Sequence, residues 1–191
     1  MKKILILFLI MLFMSGCSQN PKEYLSGKIN VEMIVEDYGT INLELDADTA
    51  PITVTNFVEL VNDGFYTGLT FHRIIDGFMI QGGDPKHNGT GGSDETIKGE
   101  FLANGIDNSI SHVRGVISMA RNNVSYDSAS SQFFIVQEDS TYLDGDYAAF
   151  GYVTSGMDVV DAIARNAKPI DNNGLVAISS QPIITSIKVV E

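Results

Sequence analysis

The chain has 191 residues, enough for one ordinary domain and short for two. Its 12 Lys and Arg against 24 Asp and Glu give a formal net charge of -12, and a surface of that sign repels phosphate backbones, which argues against nucleic-acid binding. A single Cys excludes an intramolecular disulfide framework and a Cys-based zinc site, and three His leave little for a His cluster.

Met1-Lys2-Lys3 is a short basic start, and Ile4 to Met14 is an unbroken apolar run. A membrane-crossing helix needs about 20 apolar residues, so this run is too short to be one. A basic start, a short apolar core and the small pair Ser15-Gly16 form the pattern of a signal peptide over residues 1–16. Cys17, the sole Cys, follows at once. That placement resembles the lipobox of bacterial lipoproteins, in which the Cys is acylated on sulfur and becomes the mature N-terminus; Met14 stands where the motif more usually carries Leu. The resemblance implies an extracytoplasmic protein held to the cell membrane by lipid on Cys17. The alternative is an ordinary signal peptide with an incidental Cys. Residues 1–16 hold two Lys and no acid, so their removal takes the net charge from -12 to -14. Residues 17–28 are polar, with Pro21 and Gly27, and read as a tether before a folded domain over 29–191.

Within that domain, Ile29 to Glu36 and Ile41 to Leu45 alternate apolar and polar residues around the turn Asp37-Tyr38-Gly39, which predicts a hairpin. Val54, Phe57, Val58 and Val61 lie on one helical face between Pro51 and Asn62, with Thr49 as the expected cap and Gly64 as the stop. Short apolar runs follow at Thr70–Ile75, Phe78–Gly82, Val116–Ala120, Gln132–Val136 and Ala148–Val153, then a second helix over Met157–Arg165 and a last strand over Ile183–Val190. Eight short strands and two helices predict a mainly β closed barrel or sandwich, with the helices as plugs at the open ends of a barrel. Long loops remain at Asp84–Ser109 and Arg121–Ser131, and loops of that length are usually functional or mobile.

The segment from Phe71 to Asp84, FHRIIDGFMIQGGD, resembles the signature of the cyclophilin family of peptidyl-prolyl isomerases. Ser118-Met119-Ala120, Ser131 to Ile135, Leu143-Asp144-Gly145 and Phe150-Gly151 match further family blocks in order, so the resemblance spans residues 29–191. It implies a closed eight-stranded antiparallel β-barrel capped by two α-helices, a monomer, and an enzyme acting on Xaa-Pro bonds of proline-containing polypeptides. It further implies that Arg73, Gln81 and Phe134 carry the reaction. Phe78, Met79, Leu143 and Tyr147 would line the proline pocket, and Ala120, Arg121 and Gln132 the groove for the flanking peptide. Departures from the family pattern are Asp76 for Pro, Arg121 for Asn, Tyr147 for a pocket His, and Tyr142 for a Trp linked to cyclosporin binding, which predicts weak inhibition by that drug.

The residues suit that chemistry on physical grounds. Rotation about an Xaa-Pro bond must break amide resonance but makes no covalent bond, so it needs no nucleophile, cofactor or metal. A cation donating a hydrogen bond to the prolyl nitrogen localises its lone pair, and the guanidinium of Arg73 can do this if a neighbour such as Gln81 holds its fork. Blander readings stand beside this one: Phe78 and Met79 as core residues, Arg73 as a surface ion-pair partner, and the fold as a peptide-binding module or holdase with little turnover. His72 and His112 read as structural and His87 as exposed. Asp144-Gly-Asp146 and Asp171-Asn-Asn-Gly174 read as turns rather than calcium loops.

Overall fold

The computed structural model describes residues 23–191, so the signal segment, Cys17 and the tether as far as residue 22 lie outside the described residues. The chain forms β1 (Lys28–Val35), β2 (Gly39–Asp46), α1 (Pro51–Asn62), β3 (Phe71–Ile75), β4 (Met79–Gly82), β5 (Val116–Met119), β6 (Phe133–Val136), β7 (Ala149–Ser155), α2 (Met157–Asn166) and β8 (Ile184–Val190), with three single 3-10 turns. Every expected element is present. Before β1 the backbone is already fixed, since Leu25 N–H donates to Thr55 Oγ1 at 2.8 Å and Gly27 N–H to Asp48 Oδ1 at 2.7 Å.

All strands pair antiparallel in one curled sheet of order β3-β4-β6-β5-β7-β2-β1-β8. The sheet is open rather than the expected closed barrel, because the outer edge of β3 is occupied by another segment. Ile74 N–H donates to Gly174 O and Val176 N–H to His72 O, at 2.8 and 2.9 Å. The edge strands β3 and β8 therefore meet only at the corner Thr70–Ile183, where Phe71 N–H reaches Pro182 O and Ile184 N–H reaches Leu69 O.

Strand alternation divides the buried apolar residues between two layers. The concave layer holds Val31, Met33, Leu43, Ile80, Ile117, Phe133 and Ile135 and is sealed by the two helices. From α1, Phe57 meets Tyr66, Phe133 and Phe150 with ring centroids 5.0, 5.5 and 5.2 Å apart. From α2, Val160 and Ile163 are fully buried. The opposite face carries a second layer of Met79, Val116, Phe134, Val136 and Ala149, with Phe78, Leu143 and Tyr147 packed against it. Both faces of β5 and β6 are thus covered, and every residue in these two strands is buried.

The cap of α1 differs from expectation. Ala50 occupies the cap position, and Thr49 Oγ1 donates instead to Asp46 Oδ2 at 3.0 Å. Two first-turn donors that lack an intrahelical partner, Ile52 N–H and Thr53 N–H, are taken by the buried Glu100 carboxylate at 3.0 and 2.8 Å. The helix N-terminus is also where a negative charge is favoured, so Glu100 serves both needs from 48 residues away. Gly64, at φ 72°, follows the last turn as expected.

Candidate active site

The register across three neighbouring ladders builds the site. Arg73 on β3 stands opposite Gln81 on β4, Gln81 opposite Phe134 on β6, and Phe134 opposite Ser118 on β5. Because partners across a sheet share a face, these four side chains form one row on the outer face. Met79, two residues before Gln81, joins the same face. Phe78 precedes β4 in a turn, so strand alternation does not separate it from Met79, and both belong to the outer layer.

Hydrogen bonds then run along the row in one direction. Arg73 Nε donates to the Asn173 carbonyl at 2.7 Å, and Nη1 donates to Gln81 Oε1 at 3.0 Å. Gln81 Nε2 donates to Gln132 Oε1 at 2.9 Å, and Gln132 Nε2 donates to the carbonyls of Gly91 and Gly89 at 2.8 and 3.1 Å. Each amide therefore has a forced orientation. Among the described residues Arg73 has no ion pair and its Nη2 no hydrogen bond, so one edge of the fork remains available. Burial pushes the Arg73 pKa below its ordinary value, while Tyr147, Asp171 and Tyr142 act in the opposite direction. The guanidinium remains charged at any working pH.

Beside this fork lies an apolar pocket of about 200 Å³, lined by Arg73, Phe78, Met79, Gln81, Ala120, Arg121, Phe134, Leu143 and Tyr147. Every residue expected at the site borders it except Gln132. Gln132 lines an adjoining, more polar cavity of about 320 Å³ that shares Gln81, Ala120 and Arg121 as a common wall. Tyr147 stands edge-on to Phe134 with centroids 5.9 Å apart, and the exposed Tyr142 flanks Phe78 at 6.1 Å.

Phe134 is braced from behind. The His112 ring lies parallel to it at 6.0 Å, with Nδ1 2.9 Å from Asp144 Oδ1 and Nε2 3.0 Å from Ser118 Oγ. Burial lowers the His112 pKa and Asp144 opposes the shift, with a net displacement downward. A neutral ring here donates to Asp144 and accepts from the Ser118 hydroxyl. The order Ser-His-Asp is that of a hydrolase triad, but Ser118 is fully buried and offers no approach to a substrate carbonyl. This set is a support for an aromatic wall.

Four features were not anticipated from sequence. The Asn173 carbonyl and the Gly89 and Gly91 carbonyls are backbone groups, for which side-chain identity gives no signal. The His112–Asp144 contact joins residues far apart in sequence. Asp84, fully buried, accepts from Lys86, Asn88 and Gly89 N–H groups at 2.7, 3.0 and 2.5 Å and so folds the loop that supplies the glycine carbonyls. Burial pushes its carboxyl pKa up, but these backbone donors outweigh that and hold it below the usual range. His87, expected to be exposed, is half-buried with Nδ1 2.9 Å from Thr70 Oγ1.

The family model described as cyclophilin type peptidyl-prolyl cis-trans isomerase/CLD matches residues 30–189. Peptidyl-prolyl cis-trans isomerase B of Bacillus subtilis is 47% identical over 125 residues, covering 65% of this chain and 83% of the relative. Peptidyl-prolyl cis-trans isomerase A of Dickeya dadantii is 41% identical over 173 residues, covering 83% of this chain and 84% of the relative. A Cryptosporidium parvum cyclophilin type peptidyl-prolyl cis-trans isomerase, crystallised in the presence of the dipeptide Ala-Pro, superposes with a TM-score of 0.74 at 29% identity, covering 85% of this chain and 99% of that one.

Proposed function

The chain belongs to the cyclophilin-type peptidyl-prolyl cis-trans isomerase family, and on that premise we propose that it turns Xaa-Pro bonds in proteins folding outside the cytoplasm, with Arg73 as donor to the prolyl nitrogen. The barrier to be lowered, about 18–20 kcal/mol, comes from amide resonance. Twisting the bond pyramidalises the prolyl nitrogen and gives it a lone pair that the planar amide lacks. A donor aimed at that lone pair is bound more tightly in the twisted state than in either planar isomer, which is the condition for acceleration. The observation that supports Arg73 most is its fork, fixed on two sides by Asn173 O and Gln81 Oε1 and open on the third beside the apolar pocket.

In this reading Phe78, Met79, Phe134, Leu143 and Tyr147 take the proline ring, and the Gln81–Gln132 relay keeps the fork from turning. No covalent step occurs and no proton changes place. Arg73→Ala should lower kcat/KM on a short Xaa-Pro peptide roughly 10- to 150-fold, the worth of a charge-assisted hydrogen bond of about 1.5–3 kcal/mol. NMR exchange between the cis and trans forms of the peptide measures this directly. Turnover untouched by the substitution would overturn the mechanism, and peptide binding without any turnover would instead assign a binding module.

Export and anchoring rest on the basic start, the short apolar core and the position of Cys17. Cys17→Ala should release the protein from the detergent phase of membrane extracts. A variant that stays with the membrane would remove the lipid anchor from the proposal.

A further inference from the structure

The chain holds four arginines, and they fall into two pairs. Arg114 and Arg165 both reach the Asp161 carboxylate, at 2.8 and 3.9 Å. Arg73 and Arg121 form no ion pair among the described residues, and both line the apolar pocket. The proposed reaction uses Arg73 and gives Arg121, expected in the groove for the flanking peptide, no part in the bond rotation. The Arg121 guanidinium lies 4.8, 5.1 and 5.4 Å from the ring centres of Tyr147, Tyr126 and Phe101, a three-sided aromatic box. Its Nε donates to the Asp146 carbonyl at 2.9 Å and Nη1 to the Asn122 carbonyl at 3.0 Å.

Rings and carbonyls fix the position of a cation without supplying a counter-charge. Nη2 makes no hydrogen bond among the described residues. The polar cavity on whose wall it stands is otherwise lined by Thr90, Ser128, Ser130, Asn122 and glutamines, which are neutral hydrogen-bonding groups and include no carboxylate. A positive charge has been positioned in a concave polar site and left unneutralised, in a protein whose net charge is -12.

We propose that Arg121 makes the cleft select substrates carrying a carboxylate side chain close to the proline, an Asp or Glu within about three residues of it. This rests on the isomerase reading, and it names the substrate class of that same site. An extended chain advances about 3.3–3.6 Å per residue, so a residue one to three places from a proline in the apolar pocket reaches the adjoining cavity. There its carboxylate meets the open edge of the Arg121 fork, and the Ser130 hydroxyl can donate to a remaining lone pair, the Thr90 and Ser128 hydroxyl protons being taken by Asn88 Oδ1 and the Ser125 carbonyl. A Lys at the same place would face Arg121 without compensation. The rest of the molecule pulls the other way, since its acidic surface repels acidic peptides at a distance. A preference for acid therefore has to come from the local site.

The test uses short peptides with one proline, in sets of three that differ only in Glu, Gln or Lys at one flanking position, one set for each position within three residues. Both the dissociation constant, by NMR titration, and the isomerisation rate, by NMR exchange, are measured at low and high salt. At one flanking position the Glu peptide should exceed the Lys peptide by about tenfold, equivalent to about 1.4 kcal/mol, and the ratio should shrink at high salt. Arg121→Gln should bring the ratio to one or below, because the acidic remainder then governs, while Arg121→Lys should keep part of it. An amide fingerprint spectrum of each variant checks that the aromatic box remains folded. Equal affinity for all three peptides in every set, or a ratio indifferent to Arg121→Gln, would overturn the proposal. Selectivity is read from binding as well as from turnover, so absence of isomerisation would strike at the enzyme reading alone.

Discussion

Arg73 and its neighbour His72 show how far apart adjacent residues of one strand can lie in environment. Alternation sends Arg73 to the outer face, while His72 turns inward, is 1% exposed, and has no hydrogen-bond partner on either ring nitrogen among the described residues. Burial pushes its pKa down to about 4; Asp84 opposes this, and Arg73 and His87 add to it. The unfolded chain, with an ordinary His pKa near 6.5, binds the proton more readily than the native state between those values, so stability rises with pH across that window. The contribution is complete above about pH 6.5 and is lost as pH falls to 4, amounting to about 3 kcal/mol. Urea unfolding at a series of pH values should show wild type losing about that much more than His72→Leu over the window, and parallel curves would refute the assignment. Arg73, Gln81 and Phe134 were legible in sequence as parts of a signature. What holds Arg73 was only half legible: Gln81 is a side chain, but the Asn173 carbonyl is backbone and belongs to a stretch that reads as an ordinary turn.

The elements themselves followed from periodicity, because the apolar spacing of α1 and the alternation of β1 and β2 are properties of single segments. Relations between segments were not legible in the same way. The open sheet arises because residues 174–176, with Asp171 Oδ1 accepting from Asn173 and Leu175 N–H, take the outer edge of β3. The cap of α1 likewise comes from Glu100, in a loop that has only charge and glycine to mark it. Glu100→Ala would leave two first-turn donors unsatisfied, that of Thr53 in a buried position, and should lower stability by about 2 kcal/mol. Guanidinium denaturation would show the midpoint move with the slope unchanged. A variant within a few tenths of a kcal/mol of wild type would mean that water caps the helix equally well.

At the scale of the molecule, the last strand completes the first. β8 pairs with β1 along most of its length and buries Ile184 and Ile187 against the concave layer. A chain ending at residue 181 would expose the β1 edge and that apolar surface together. It should show no cooperative thermal transition by circular dichroism, and a sharp transition would show the remaining strands to be self-sufficient. The pairing of the ends also has a meaning in time. A chain emerging from a ribosome presents β1 well before β8, and the carbonyl that steadies Arg73 belongs to residue 173. The proposed donor is therefore held in place only once residue 173, 100 positions later, has been made, so a nascent chain carries the signature sequence long before its arginine is aimed.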